Sequence, residues 1–585
     1  MRTGLRPVTP RYYKPPNPHP VEPDGGFLKH APLGGAKTGT AMNIRATFIY
    51  ICILLLTQLG VAYADFNPMM GPYLDADKFA ERIYARYGIM PRGLYRQPMG
   101  SGDFLSFLDS ASNLPLTGQE RYTLDGLRGR LSQDIGIYGF RYDDRETAVI
   151  VNLDLTGEMW AGLGGGADAR GGGRGIIGPS MRGRLGKISF YSAVDVWTEY
   201  AYDSIFPPPT YQPYDGMPSD TYGRRADRAD GANMRSSNIP RCGISYDAGR
   251  FSLQAAIDYL RLGPAAHYPV TLSGTAPPIV YARALFDLTY VEYQHIAGLL
   301  RSQKNTPKYI YSNRLSGSFF NGRFQWGINE VIVHGSQTNQ QDNDSANLVR
   351  DELKGQKQSW EPAYLVPFVP MVYVEHYVGD LQNAALSFDF CFNIPRDFRF
   401  YGEFFLDDMM TPWEIASDDW GNKWALTLGA QYFTNIRGRD VSAGLEWSRV
   451  EPWVYTHVYG GSHRYDHFNK PLGAPLGPNS MAIAANCDMS VTKKGIVGLK
   501  LTSVAANPTV RGGKITDIFQ GHGGINEPDS ETKKFLGAGT VHHLRPGIYG
   551  TYNPFGLFRL DASVEVDAAE DRGRVHLGLD GVFHF

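Results

Sequence analysis

The sequence predicts an all-β protein: a large antiparallel transmembrane β-barrel with a small N-terminal helical element. Three observations predict this fold, namely a strictly alternating C-terminal strand, an export signal near the N-terminus, and short turns that alternate with long polar connections. Strands of outer-membrane barrels are apolar toward lipid and polar toward the lumen. Their sequences therefore alternate with a period of two, and no long apolar helix is needed to cross the membrane.

The C-terminal strand is predicted over residues 575–585. One face carries Val575, Leu577, Leu579, Gly581, Phe583 and Phe585. The other face carries His576, Gly578, Asp580, Val582 and His584. Strict alternation that ends on an aromatic residue is typical of the closing strand of an outer-membrane barrel.

A secretory signal peptide is predicted at 42–64. Arg45 lies in a short basic region, an apolar run follows, and Ala62-Tyr-Ala64 matches an A-x-A cleavage site. The alternative, a transmembrane anchor, requires about 20 consecutive apolar residues, and Gln58 interrupts this run too early. We therefore expect export through the inner membrane and localisation in the outer membrane.

Four regions are predicted along the chain. Residues 1–41 are proline-rich and polar, so we expect Met42 to be the true start and the preceding stretch to be a mis-assigned extension. The signal peptide at 42–64 is followed by a helical element at 65–132 and by the barrel at 133–585.

The helical element is predicted from apolar residues at helical spacing. Phe79, Ile83 and Tyr87 recur every four residues, and Thr117-x-x-Glu120 forms a capping box ahead of another helix. Three short amphipathic helices bury too little surface to fold alone. We expect them to plug the barrel lumen or its periplasmic mouth.

Turns and loops predict the number of strands. Short turn sequences such as Asn321-Gly322 and Asn435-Ile-Arg-Gly438 contrast with long polar stretches at about 204–241, 335–358 and 505–540. Short turns at one end and long loops at the other are typical of these barrels, and about 450 residues at roughly 25 per strand and connection predict 16–20 strands.

Composition excludes several classes of function. The net charge of −2 provides no basic surface for nucleic acid. Cys242, Cys391 and Cys487 are far apart and lack C-x-x-C spacing, so neither a zinc site nor a disulfide framework is predicted, although one bridge remains open. We expect no metal and no cofactor.

Several segments together resemble a known family. They are Leu260-Arg-Leu-Gly-Pro264, Arg314, Gly327-Ile-Asn-Glu330, Pro362-Ala-Tyr364-Leu-Val-Pro367, Arg449-Val-Glu-Pro452-Trp-Val-Tyr455-Thr-His457 and Pro471-Leu-Gly-Ala-Pro-Leu-Gly-Pro478-Asn479. Their order from about residue 250 to 485 resembles the Wzi family of capsule-assembly outer-membrane proteins. The last two segments carry the most specific motifs. One departure is Asn313, where many relatives are expected to carry His.

The resemblance implies an 18-stranded, monomeric barrel with an N-terminal helical element, embedded in outer-membrane lipid and without enzymatic activity. It further implies a lectin-like protein that binds or organises surface (capsular) polysaccharide. The residues that the family motifs mark as structural are Pro264, Arg314, Glu330, Tyr364, Arg449, Pro452, Pro471, Pro478 and Asn479. Of these, Arg314 and Glu330 are expected to form a buried ion pair in the lumen.

Candidate polysaccharide-binding residues are four aromatic side chains in and beside the most specific motifs. They are Trp453, Tyr455, Tyr459 and Tyr465. Their rings could stack on the apolar faces of sugars. The alternative is that they belong to the aromatic girdles that barrels place at the membrane interfaces.

Two other functions remain as alternatives. A porin-like channel for small solutes or oligosaccharides requires a continuous water-filled lumen. An outer-membrane hydrolase requires a catalytic constellation, for which Asp407 and Asp408 are the candidate carboxylate pair. Adjacent strand residues point to opposite faces, and neither G-x-S-x-G nor H-E-x-x-H occurs. We therefore expect no enzyme.

Overall fold

The computed structural model describes most of the chain beyond the predicted signal peptide. The described residues are 74–132, 140–144, 147–163, 171–202, 226–227, 232–302, 307–335, 360–379, 382–409, 411–457, 460–519, 530–554, 558–567 and 572–584. The predicted extension at 1–41 and the signal peptide at 42–64 lie outside these residues.

In the described part of the chain, eighteen long strands form one antiparallel sheet. They are β1 (Thr147–Leu163), β2 (Gly171–Leu185), β3 (Ile188–Tyr202), β4 (Ala232–Asp247), β5 (Phe251–Asp258), β6 (Ile279–Asp287), β7 (Val291–Arg301), β8 (Pro307–Phe319), β9 (Phe324–Gly335), β10 (Asn383–Phe392), β11 (Phe398–Asp408), β12 (Lys423–Ile436), β13 (Arg439–Val450), β14 (Ser480–Thr492), β15 (Gly495–Ala506), β16 (Val541–Tyr552), β17 (Phe558–Asp567) and β18 (Arg572–His584). Shorter strands lie at Arg96–Gln97, Phe140–Asp144, Ala226–Asp227, Arg261–Leu262, Leu272–Ser273, Asp466–His467 and Lys470–Pro471.

The sheet closes into a barrel through its first and last long strands. β18 pairs with β1 from Gly573 opposite Leu163 to His584 opposite Asn152. Each of the remaining sixteen long strands pairs with the long strand before it and the long strand after it in the chain. The alternating C-terminal segment is therefore the closing strand, as predicted. The number of strands agrees with the expectation of 18.

The two ends of the barrel differ as predicted. Short turns such as 186–187, 320–323 and 437–438 share the end near the C-terminus, which identifies that end as periplasmic. Long connections share the other, extracellular end. One predicted loop, 204–241, is too long, because β4 already begins at Ala232. The start of β4 has few apolar residues, so its alternation is too weak to recognise in the sequence.

The faces of the barrel wall are the reverse of those of a soluble protein. Apolar side chains that point outward and are largely exposed include Met159, Ile177, Ile244, Leu253, Val280, Leu445, Leu499 and Ile548. Buried polar side chains that point inward include Glu158, Arg174, Arg241, Gln254, Arg283, Asn329, Asp389, Glu403 and Glu446. An apolar exterior around a polar interior is the arrangement that a lipid bilayer requires.

Three helices form the N-terminal element: α1 (Leu74–Tyr87), α2 (Ser101–Ser112) and α3 (Gly118–Ser132). The predicted capping box is present, with the N–H of Glu120 donating to the Thr117 hydroxyl at 3.1 Å and the N–H of Thr117 donating to the Glu120 carboxylate at 2.8 Å. The helices pack on one another through apolar side chains that include Phe79, Ile83, Phe104, Leu108 and Leu124.

The helical element contacts the turns at the periplasmic end of the barrel. The Tyr84 hydroxyl donates to the carbonyl of Arg323 in one short turn at 2.9 Å. The Thr117 hydroxyl donates to Asp440, beside another turn, at 2.6 Å. Among the described helices, none is both long and apolar enough to span a bilayer.

Candidate functional site

The connection between β5 and β6, residues 259–278, folds into the lumen and is named here the inward loop. Glu403 of β11 fixes it from the wall by accepting the N–H groups of Ala265 at 2.7 Å and Val270 at 2.8 Å. Gly263 has a φ of +103°, and a Cβ at this position would collide with the Glu403 carboxylate. Glycine therefore allows the loop to approach the wall closely.

Glu446 of β13 holds the next part of the inward loop. Its carboxylate accepts the N–H groups of Ala266 at 2.7 Å, His267 at 3.0 Å and Tyr268 at 2.7 Å. Both this carboxylate and that of Glu403 are 1% exposed. Hydrogen bonds from backbone N–H groups satisfy the acceptor oxygens of both buried carboxyl groups, so their burial is compensated. The pair thus acts as an anchor for a loop that has no regular structure over this stretch.

A second extracellular connection, residues 451–479, interlocks with the inward loop. Tyr455 and Tyr465 donate their hydroxyl protons to the carbonyls of Val270 at 2.7 Å and Thr271 at 2.8 Å. Their rings stack with centroids 5.6 Å apart. The two loops therefore pack as one layer inside the extracellular half of the barrel.

Three of the four predicted sugar-stacking residues lie in this layer. Trp453 is 2% exposed, and Tyr455 and Tyr465 are 0% exposed. A glycan cannot reach these rings in this conformation. They are not members of a membrane girdle either, because they pack inside the barrel. Tyr459 lies outside the described residues.

The segment that follows helix α1 pairs with the inward loop. Strand Arg96–Gln97 pairs with Arg261–Leu262, which also pairs with Leu272–Ser273. Protein contacts therefore run from the periplasmic helices through this small sheet to the extracellular loops, in agreement with the predicted plug.

Arg399 of β11 joins the three parts of this plug. Its guanidinium donates to the carbonyl of Pro264 at 2.5 Å and lies 3.3 Å from the carboxylate of Glu81 in α1. It also donates to the hydroxyl of Tyr95 at 3.3 Å, and that hydroxyl contacts the thiol of Cys391. Cys391 is free, as are the other two described cysteines, so the disulfide left open by the sequence is not formed.

Glu120 links α3 to α1 through ion pairs with Arg82 at 2.7 Å and with Arg86. Burial by itself raises the pKa of the Glu120 carboxyl, but the charge of Arg82, the N–H of Thr117 and the charge of Arg86 outweigh it. They hold that pKa below its ordinary value of 4.5. A depressed pKa in the folded state stabilises the protein above the unfolded-state pKa, and this contribution is lost as the pH falls through the folded-state pKa.

We therefore expect the helical element to loosen in acid. Hydrogen–deuterium exchange of peptides from 74–132, corrected for intrinsic rates, should accelerate as the pH falls from about 5 to about 3. Glu120→Gln should exchange faster at neutral pH and change less with pH. Asp125→Asn, at an exposed position of the same helix, serves as the control. If the exchange rates of Glu120→Gln and of the parent protein depend equally on pH, the Glu120 carboxylate is not the group that loosens the helices in acid.

The predicted ion pair between Arg314 and Glu330 is wrong. Arg314 pairs with Asp389 at 2.5 Å in the lumen. In the β8–β9 register, Arg314 lies opposite Asn329, and Glu330 lies opposite Asn313. The two charged side chains occupy adjacent rows and point to opposite faces of the wall.

The other family-motif residues have structural contacts. Arg449 forms an ion pair with Glu451 at 2.5 Å. The side-chain amide of Asn479 donates to the carbonyl of Asn507 at 3.1 Å and accepts the N–H of Leu536 at 2.7 Å. The remaining motif prolines and Tyr364 lie at least half-buried, namely Pro264, Pro452, Pro471, Pro478 and Tyr364. The carboxylates of Asp407 and Asp408 have different partners, the N–H of Tyr455 at 2.6 Å and Lys423 at 3.2 Å.

A group of exposed and partly exposed aromatic side chains lies at the extracellular end, and it was not predicted from the sequence. This aromatic rim comprises Trp413, Trp420, Trp424, Phe519 and Phe535. Trp413 is 94% exposed. Trp420 stacks on Phe519 with centroids 3.6 Å apart and an interplanar angle of 5°.

Cations surround the aromatic rim. Lys423 lies 5.0 Å above the ring of Trp420, and Arg449 lies 3.9 Å above that of Phe535. Arg511, half of whose side chain is exposed, lies 5.5 Å above the ring of Trp453. Lys423 and Arg449 already pair with Asp408 and Glu451, so among these three cations Arg511 has the side chain that is most accessible to an acidic group of a ligand.

Three extracellular loops hold the aromatic rim in place, namely those between β11 and β12, between β13 and β14, and between β15 and β16. The segments 411–422 and 530–540 are joined by a bridge between Asp419 and Thr532. The N–H of Trp420 donates to the carbonyl of Glu531 at 2.9 Å, and Lys533 pairs with Glu451 at 2.9 Å. Three tryptophans within twelve residues, 413–424, were the sequence feature that could have drawn attention to this surface.

Comparisons with known proteins show the fold. No protein-family model matches the sequence, and no curated protein matches it. The structure is similar to that of Wzi, described as an outer-membrane protein involved in group 1 capsule assembly in Escherichia coli and a carbohydrate-binding β-barrel. This match has 14% identity, covers 89% of this chain and 100% of that chain, and has a TM-score of 0.54.

Two porins match more weakly. A BenF-like porin from Pseudomonas fluorescens matches with 8% identity over 75% of this chain and 99% of its own, at a TM-score of 0.40. OprD from Pseudomonas aeruginosa matches with 9% identity over 74% of this chain and 95% of its own, at a TM-score of 0.38. Neither likeness is close enough to carry an argument about function. The wall polarity, the strand pairing and the likeness to Wzi together establish an outer-membrane β-barrel.

Proposed function

We propose that the protein is a Wzi-family barrel that binds or organises surface (capsular) polysaccharide at its extracellular end, without catalysing a reaction. The aromatic rim carries this proposal. It offers the exposed ring of Trp413 beside four partly exposed aromatic rings, held by three extracellular connections on a barrel whose lumen contains the inward loop. The sequence resemblance and the fold likeness to a carbohydrate-binding barrel support the same class of ligand.

The proposal moves the sugar contacts away from the residues that the sequence suggested. Trp453, Tyr455 and Tyr465 support the loops from below, and Trp413 and Trp420 present the contact surface above them. Trp453 connects the two levels, because its ring meets that of Phe519 edge-on at 5.4 Å.

Trp413→Ala tests the proposal most directly. Trp413 is 94% exposed, so its removal should leave the fold intact. Covering an aromatic side chain with a ligand contributes about 1.5 kcal/mol, so we expect about tenfold weaker binding. The measurement is the dissociation constant of the refolded protein for capsular polysaccharide that is purified from the bacterium that produces this protein.

Tyr290→Ala is the matched control, since Tyr290 is 86% exposed but lies at a short turn at the periplasmic end. We expect this variant to bind like the parent protein. If the parent protein fails to bind the polysaccharide, or if both variants lose binding equally, the proposal is wrong.

A further inference from the structure

One sector of the outer wall carries polar side chains where lipid would be expected. On β8, Arg314 faces the lumen, so Asn313 points outward, yet only 6% of Asn313 is exposed. Its neighbours in register, His295 on β7 and Glu330 on β9, point outward as well. His295 and Asn313 are hydrogen-bonded at 2.8 Å. We name these three residues the outer polar row.

Residues 360–379, named here the external hairpin, cover the outer polar row. They belong to the connection between β9 and β10 and contain the helix α4 (Met371–Val378). Glu330 accepts the N–H of Met371 at 3.0 Å, and Asn313 donates to the carbonyl of Val369 at 3.1 Å. The outer polar row therefore satisfies backbone groups of a segment that lies outside the barrel.

The tip of the external hairpin lies deep along the wall. The N–H of Phe368 donates to the hydroxyl of Tyr293 at 2.8 Å, and the Phe368 ring lies 5.0 Å from that of Phe286. Phe286 is two residues from the short turn at the periplasmic end. Glu330 lies four residues beyond the outward-facing Trp326, or about 10 Å along the barrel axis for a tilted strand. The hairpin thus runs beside the apolar band of the wall.

The composition of the hairpin suits a lipid environment. Unpaired backbone N–H groups are costly in hydrocarbon, and the three prolines at 362, 367 and 370 have none. The exposed side chains of the hairpin are mostly apolar or aromatic, namely Trp360, Val366, Phe368, Val372, Tyr373 and Tyr377. The buried face of α4 packs through Met371 and Val374 on the outward-facing Tyr311 and Ile332.

We propose that the external hairpin is a membrane-embedded segment whose outer face binds acyl chains of the surrounding bilayer lipids, while the outer polar row holds its inner face on the barrel. Its exposed surface continues the apolar band formed by neighbouring outward residues such as Leu315, Ile328 and Phe388. This continuity favours lipid over a second copy of the chain as the occupant. The proposal is independent of polysaccharide binding.

Photocrosslinking tests this placement. The parent chain carries p-benzoylphenylalanine at Tyr373 or Phe368, is refolded into dioleoylphosphatidylcholine vesicles and is irradiated. We expect intact-protein mass spectra to show a mass increase equal to one lipid molecule at both positions. The same probe at Trp413 on the aromatic rim is the control and should give no lipid adduct.

Covalent dimers in place of lipid adducts at Tyr373 and Phe368 would overturn the proposal in favour of a second copy, and labelling equal to that at Trp413 would overturn it in favour of a water-exposed loop. A second variant tests the polar row. Glu330→Ala should decrease the lipid adduct at Phe368, since the tip is no longer held, whereas Glu330→Gln keeps an acceptor and should preserve it. Equal adduct yields in the two variants would contradict the role of the row.

Discussion

Glu403→Ala combined with Glu446→Ala should convert a silent barrel into a conducting one. The two carboxylates accept the N–H groups of Ala265 and Val270 and of three consecutive residues, 266–268. Each buried N–H left without an acceptor costs about 1–3 kcal/mol. Their summed loss should release the inward loop from the wall. In planar bilayers we expect no steady conductance from the parent protein and clear conductance steps from the double variant.

Glu565→Ala is the matched control for this experiment. Glu565 is a buried carboxylate that also faces the lumen, but it pairs with Lys500 at 2.7 Å. We expect this variant to remain silent. Steady conductance of the parent protein would instead favour the porin-like alternative. A folded double variant that stays silent would show that the second loop and the helices close the lumen without the anchor.

Arg399→Ala should cause the largest loss of stability of any single substitution in the plug. The side chain is 0% exposed and binds Glu81, Tyr95 and the carbonyl of Pro264 at once. Removing one member of a buried ion pair leaves the other charge without compensation and typically costs about 3–5 kcal/mol. The measurement is the free energy of unfolding in urea, determined in lipid vesicles.

Arg439→Ala provides the comparison, because Arg439 is exposed at the start of β13. Surface substitutions of this kind usually change the free energy of unfolding by less than about 0.5 kcal/mol. Arg399→Lys keeps the charge but not the planar fork, so we expect an intermediate loss. If Arg399→Ala costs no more than Arg439→Ala, the junction between helices, wall and inward loop is not held by this guanidinium.

The two predictions concern different layers of one plug. Glu403 and Glu446 hold the inward loop from the wall, and Arg399 connects that loop to the N-terminal helices. Conductance reports on the first layer and unfolding on the second, so the experiments can fail separately. Trp413→Ala should change neither quantity, because Trp413 is 94% exposed and has no part in these contacts.

Local sequence patterns were sufficient for the parts of the molecule that depend on local physics. The alternation of 575–585 identified the closing strand, because side chains of a strand point alternately to lipid and lumen. Thr117 and Glu120 identified a helix start, since a capping box involves residues three positions apart. Turn sequences such as Asn321-Gly322 identified a periplasmic end, since the backbone conformation of a tight turn favours these residues.

Patterns did not reveal where side chains with several possible environments would lie. Tyr455 and Tyr465 were expected to meet sugar, yet they pack inside the barrel, because their hydroxyls find acceptors in a loop almost two hundred residues away. Arg314 and Glu330 were expected to pair, but the strand register places them on opposite faces. Neither the packing of these tyrosines nor the register of these strands can be predicted from local sequence patterns.

The sequence by itself determined an outer-membrane barrel with a helical N-terminal element, because alternation, turns and caps are properties of neighbouring residues. Only the tertiary structure decided which connections fold inward onto Glu403 and Glu446, which one lies outside against Asn313 and Glu330, and which aromatic residues remain accessible at the rim. Those outcomes depend on contacts between residues far apart in the chain, where the burial of each polar group must be balanced by a partner that another strand supplies.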